Sequence, residues 1–283
     1  MPAGVIEMRR FGLLAPTALY LLIFFGIPLL ILLVMSVFRA EAFEIIPAFD
    51  LSNYSSALGD PLYREVMVNT VIVGLVTAAL TLAMAWPLSY IATFVFPRYR
   101  EALFFLILLS LFGGYLVRIY AWRTILGDEG IINKTLMVFG LIDAPLKFLL
   151  NSRLAVVLTL ANFLVPLAVL PIFSSMQNLR SDLLEAAHDL GAGRWRVHRT
   201  VTLPLTLPGL RTGFAFAFVL AAGDYVTPAL VGGTSGLMTG NVVATQFTLA
   251  MNWPFGAALA FVLMAVILAV YLLVAALMRL ALR

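Results

Sequence analysis

Six apolar stretches of helix length recur along this 283-residue chain, each almost free of charged side chains. They cover roughly residues 11–38, 66–96, 102–122, 154–176, 205–230 and 255–280. A helix needs roughly 20 apolar residues to cross the hydrocarbon core of a bilayer. The chain therefore reads as an all-α membrane protein, a six-helix transmembrane bundle forming one domain over residues 1–283. Composition agrees: 63% of residues are hydrophobic and 11% charged, with a mean hydropathy of +1.04. A soluble domain carries about 25% charged residues. The first run follows Met8-Arg9-Arg10 in the manner of a signal peptide. It is longer than a usual signal core, so it reads as a retained helix. Pro16, Pro28, Pro87, Pro166, Pro171 and Pro208 fall within the runs. They hint at kinks around a path, although proline is common in membrane helices.

Loop charge sets the orientation, because Lys and Arg accumulate on the cytoplasmic side. With the N-terminus inside, eleven Lys and Arg residues fall on the inner side and seven on the outer. The acids run the other way, five inside and nine outside. Both termini and the loop over residues 177–210 are then cytoplasmic. The net charge of +4 and the pI of 9.6 follow from this asymmetry and need no nucleic-acid partner. The outer segments 39–65 and 123–153 carry mixed charge. They read as short ordered caps with Leu146, Phe148 and Leu149 as apolar fillers, either docking a partner or closing the bundle.

The 177–210 loop holds the most specific pattern. Asp182 can cap a helix whose third position is Glu185, a capping box. Leu183, Leu184, Ala187 and Leu190 then share a face. Ala186 and Ala187 are small enough to admit another protein surface closely. Gly191 can end the helix in a left-handed conformation. A second helix can start near Ala192 and carry Arg194, Trp195, His198 and Arg199, before Leu203-Pro204 and Pro208 lead into the fifth run. A helix–glycine–helix linker with Glu185 acting only as a cap is the ordinary alternative.

Taken together, E-A-A, a Gly at the fourth place after the second Ala, and L-P about a dozen residues later resemble the cytoplasmic coupling loop of ABC importer permeases. Residues 223–233 (Gly223-Asp224-Tyr225-Val226-Thr227-Pro228 through Gly233), Asn241-Val242, Gln246-Phe247 and Asn252-Trp253-Pro254-Phe255 resemble the spermidine/putrescine branch, specifically the first of its two related permeases. Related importers for opines, other amines and small organic solutes share these segments. The resemblance implies a bacterial cytoplasmic-membrane permease that moves a small solute inward, a polyamine or related amine. It implies that Glu185, Ala186, Ala187, Gly191, Arg194 and Trp195 face an ATP-binding subunit present in two copies. ATP and Mg would be held there, with no cofactor in this chain. A second permease, an extracytoplasmic substrate-binding protein and membrane lipid complete the implied partners.

Other chemistry is missing from the sequence. No G-x-x-x-x-G-K-[ST] occurs, and Gly127-Asp128-Glu129-Gly130 and Gly232-Gly233-Thr234-Ser235-Gly236 lack the lysine of a P-loop. The chain has no cysteine, and its two histidines, His188 and His198, form no metal-ligand spacing. A secondary transporter or channel would place charges near the bilayer midplane, and most runs have none. Arg118 and Arg123, at the end of the third run, are expected to reach the outer surface. Asp224 is the acid of the second half that can lie within membrane depth. There it would face water or a partner, with Tyr225 offering an aromatic face to an ammonium ion. The alternative is that the fifth helix ends at Gly223 and leaves Asp224 solvated.

Overall fold

The computed structural model describes residues 15–41, 44–179 and 181–281, without the side chains of Ser181, Asp182, His188 and Arg194. The expected Asp182 cap, residues 11–14 of the first run and the Met8-Arg9-Arg10 flank therefore lie outside the described residues. Four continuous helices among them are long and apolar enough to cross a membrane: α1 (Ala15–Met35), α3 (Pro61–Val95), α7 (Arg153–Gln177) and α12 (Trp253–Ala281). Between α1 and α3 lie a two-stranded hairpin (β1, Arg39–Glu41; β2, Glu44–Ile46) and the short α2 (Ser52–Gly59). The remaining α-helices of four or more residues are α4 (Arg100–Leu109), α5 (Tyr115–Leu126), α6 (Ile131–Val138), α8 (Ser181–Asp189), α9 (Arg194–Val197), α10 (Leu207–Gly223) and α11 (Thr239–Thr248).

Two of the six expected spans are broken. The third run, expected as one helix over 102–122, bends by 89° between Pro97–Phe112 and Tyr115–Val138. The cause is Gly113-Gly114, both turned out of the helical region (ψ 113° and 137°), where the missing side chains remove the bias toward helix. Arg118, expected to reach the outer surface, bonds locally at this break. Its guanidinium folds back to donate to the Ser110 carbonyl at the break and lies 5.4 Å from the centroid of the Phe163 ring. The fifth run, expected from 205 to 230, begins at Leu207 after a 67° bend and stops at Gly223.

Helix widening by one residue per turn recurs just before a proline. It occurs at Leu22–Gly26 ahead of Pro28, Ile91–Val95 ahead of Pro97 and His198–Thr202 ahead of Pro204. A proline ring clashes with the carbonyl four residues back, and an extra residue in the turn moves that carbonyl aside.

The described residues fall into two compact units. In the first, within 1–64 and 242–263, α1 has no buried residue. Its end is tied to α2 by Asn53, whose amide donates to the carbonyls of Ser36 (2.9 Å) and Phe38 (2.7 Å). Asn252 caps α12, its side chain accepting from the Phe255 N–H at 3.1 Å.

In the second unit, within 65–241 and 264–283, the core is α7 packed against α10 and α3. Lipid tails are as apolar as leucine, so membrane helices gain from close packing rather than from leaving water. The buried faces interleave small residues, Gly74, Thr77, Ala78, Thr81 and Ala85 on α3 and Gly209, Gly213, Ala217 and Ala221 on α10, with large ones such as Val73, Phe214 and Phe218. A Cβ added at Gly209 would stand 2.5 Å from the Pro171 carbonyl oxygen, which measures how closely α10 rides on α7. Polar ties supplement the packing. The Asn69 amide donates to the Leu237 carbonyl (2.6 Å), and the Thr239 N–H donates to the Thr70 hydroxyl (2.8 Å). The 123–153 segment is ordered as expected, with Leu149 buried and Asn133 accepting from the Leu146 N–H at 2.8 Å. Phe148 is not a filler: it is exposed.

Candidate functional site

The 177–210 loop folds as helix, glycine, helix. Gly191 has φ +79°, and the Ala192 N–H bonds the Ala187 carbonyl at 3.1 Å, the six-to-one bond of a Schellman end. Glycine is needed there because a Cβ disfavours positive φ. Beyond it, α9 begins at Arg194, and the Val197 N–H donates to the Gly193 carbonyl at 3.0 Å. Glu185 and Ala186 are exposed and Ala187 half-buried. Leu190 is 88% and Trp195 74% exposed, so these apolar side chains are not seated in the chain's own core. A helix–turn–helix whose largest apolar side chains face outward offers a surface to another protein.

The loop is anchored by His198. Its ring stacks on Trp195 (5.6 Å between centroids, 11°) and meets the edges of Trp86 (5.3 Å) and Tyr90 (5.5 Å) on α3. Trp86 and Tyr90 lie more than a hundred residues upstream, and the sequence reading did not connect them to the loop.

Asp224 sits in the break that follows α10. The helix does end at Gly223, but the carboxylate is not simply solvated. Its Oδ1 accepts from the N–H groups of Val226 (2.8 Å) and Thr227 (3.4 Å), capping the turn that leads into Pro228–Gly232. Its Oδ2 accepts from the Thr227 hydroxyl at 2.6 Å and from the Tyr115 hydroxyl on α5. Beside it lies a cavity of about 350 Å³ walled by Tyr115, Phe163, Leu164, Leu220 and Tyr225. The Tyr115 and Phe163 rings are 5.0 Å apart. The Phe163 ring already meets the Arg118 guanidinium, so the carboxylate with the Tyr115 and Tyr225 rings is what favours a further cation, by charge and by the negative ring faces. The Asp224–Tyr225 pairing thus gains two members, Tyr115 and Phe163, that sequence reasoning missed. The cap had a signal, because Asp is a preferred residue for accepting from the N–H groups two and three positions on. Among the described residues no group of three or more His, Asp or Glu could hold a metal.

Comparison with known proteins bears on what this arrangement serves. The family model described as "Binding-protein-dependent transport system inner membrane component" matches residues 15–282. The spermidine/putrescine transport system permease protein PotB of Haemophilus influenzae is 35% identical over 257 residues, covering 89% of each chain. PotB of Escherichia coli is 34% identical over 220 residues, 78% of this chain and 79% of that one. Among solved structures, a bacterial ABC transporter importing the acidic polysaccharide alginate superposes with a TM-score of 0.78 at 17% identity, over 98% of this chain and 99% of its counterpart. That likeness extends the shared architecture to nearly the whole length. The chain therefore belongs to the binding-protein-dependent transport system inner membrane components, the permease subunits of ABC importers.

Proposed function

We propose that this permease moves a polyamine or a closely related amine toward the cytoplasm, as one of two permease subunits driven by a pair of ATP-binding subunits and supplied by an extracytoplasmic substrate-binding protein. The observation that carries the substrate class is the cavity beside Asp224, with its carboxylate and the rings of Tyr115, Phe163 and Tyr225. The relatives named for spermidine and putrescine transport support the same class. A multiply charged, flexible amine gains from each such element in turn, through Coulomb attraction and cation–π contact.

The coupling role falls to Glu185, Ala186, Ala187, Gly191, Arg194 and Trp195, which meet the ATP-binding subunit. The outward-facing Leu190 and Trp195 support that reading. ATP and Mg belong to the partner. Both termini and the 177–210 loop lie in the cytoplasm, as the Lys and Arg distribution favours.

Uptake of labelled spermidine and putrescine by the complete importer in proteoliposomes, with ATP inside and the binding protein outside, tests the proposal. Asp224→Asn keeps the Oδ1 acceptor for Val226 and Thr227 but removes the charge. It should cut uptake several-fold and leave assembly and the binding protein's affinity unchanged. Parental uptake by that variant overturns the path role and leaves Asp224 as a cap alone. Failure of both amines to be transported by the parent complex overturns the substrate class.

A further inference from the structure

Where α10 begins and α12 ends, the second unit carries a basic groove that neither coupling nor the amine path uses. Its volume is about 400 Å³, and its walls include Arg211 from the first turns of α10 and Tyr271, Leu272, Ala276, Arg279 and Leu280 from the last turns of α12. Two guanidinium groups thus share one cavity that no acidic residue lines. Asp224, at the far end of α10, is about 20 Å away along the helix. The Arg211 Nε is buried with no hydrogen-bond partner among the described residues. A buried, unpaired guanidinium N–H is a donor waiting for an acceptor.

The rest of the groove is apolar and open. Leu272 and Leu280 are exposed, as residues facing acyl chains are. Tyr271, in the groove wall, lies with its ring parallel to Phe214 on α10 (14° between planes). Arginine in the last turn of a membrane helix, as Arg279 is, marks the depth of the lipid headgroups. A ligand for this groove needs one anionic, multiply accepting head for two forked donors, and a greasy body beside it.

We propose that this groove holds an anionic phospholipid. Its phosphodiester accepts from Arg211 and Arg279, and one acyl chain lies along Leu272 and Ala276. The assignment is independent of the amine reading, and basic pockets between membrane helices are known to suit such headgroups.

The test uses the assembled importer, delipidated in detergent and offered phosphatidylglycerol or phosphatidylcholine, with bound lipid counted by native mass spectrometry. Phosphatidylglycerol should be retained in preference, by about five-fold, and inorganic phosphate should not displace it. Arg279→Gln should reduce that retention about five-fold, whereas Arg279→Lys should keep part of it. Arg279 is exposed, so its replacement leaves folding intact. Arg211→Gln should act in the same direction, and Arg279→Gln decides alone if that variant fails to assemble. Equal retention of the two lipids, or retention unchanged in Arg279→Gln, overturns the proposal. Displacement by inorganic phosphate overturns it in favour of a free-anion site. A photo-crosslinker at Leu272 that captures another subunit in place of lipid overturns it in favour of a protein interface.

Discussion

Gly209→Ala tests how α10 is seated on α7. The new methyl carbon would stand 2.5 Å from the Pro171 carbonyl oxygen, 2.6 Å from Ser175 Cβ and 3.0 Å from Ile172 Cα. None of these is the free end of a flexible side chain, so the helices themselves must part. A carbon–oxygen contact settles near about 3.3 Å, which asks for a separation of roughly 0.8 Å along that line. Overpacking of this kind costs about 1–3 kcal/mol, and a gap of 0.5–1 Å forfeits about a quarter to a half of each dispersion contact along the seam. Set against the roughly 1 kcal/mol of helix propensity that alanine gains over glycine, we expect a net loss of about 1–2 kcal/mol. Gly213→Ala makes the same chemical change one turn on and meets the Ala168 oxygen, Ile172 Cδ1 and Leu82 Cδ2, each at 3.3 Å. Two of those are side-chain ends that can yield. Alanine also gains about 1 kcal/mol of helix propensity over glycine, so Gly213→Ala should be close to neutral. SDS titration of the purified assembly, followed by circular dichroism, reads both variants. Because α10 leads into Asp224 and α7 carries Phe163, Gly209→Ala should also depress uptake. Parental stability in Gly209→Ala, or a greater loss in Gly213→Ala, refutes the seating argument.

Gly191→Leu forces a branched residue to φ +79°, a strain of about 1–3 kcal/mol confined to the loop. Membrane insertion should be normal, association with the ATP-binding subunit weakened and transport lost. Gly191→Asn, which tolerates that conformation, should retain most activity, and parental transport in the Leu variant would contradict the coupling assignment. The chain has no native cysteine, so a single cysteine at position 194 reports topology cleanly. It should resist a membrane-impermeant reagent in intact cells, and labelling there would reverse the orientation. Asp50 has its carboxyl held below the ordinary value of 3.8 by the Ser52 hydroxyl and N–H, with Arg39 adding to the effect. A depressed carboxyl contributes stability above its unfolded pKa and loses it as pH falls through the folded value. Protease resistance of the 39–50 segment should therefore be constant near neutrality and fall only below about pH 4, in a manner abolished by Asp50→Asn.

The parts legible from sequence were those written in local signals. Apolar runs of membrane length placed α1, α3, α7 and α12 to within a few residues, because the bilayer demands that length from any chain. The Gly191 turn was legible because only glycine enters left-handed space cheaply, and the helices on either side followed from pattern alone. Tertiary structure decided the rest. Gly113-Gly114 looked like an ordinary pair in an apolar run, and the bend there is fixed partly by Arg118 reaching back to Ser110 and onto Phe163. Asp224 and Tyr115 are 109 positions apart, and their hydrogen bond depends on how α5 and α10 pack. His198 keys the loop to Trp86 and Tyr90 for the same reason. Periodicity and capping act over a few residues and leave a trace in composition. Packing between distant segments is chosen by shape and by hydrogen-bond partners, and one sequence read along its length carries no record of which segments meet.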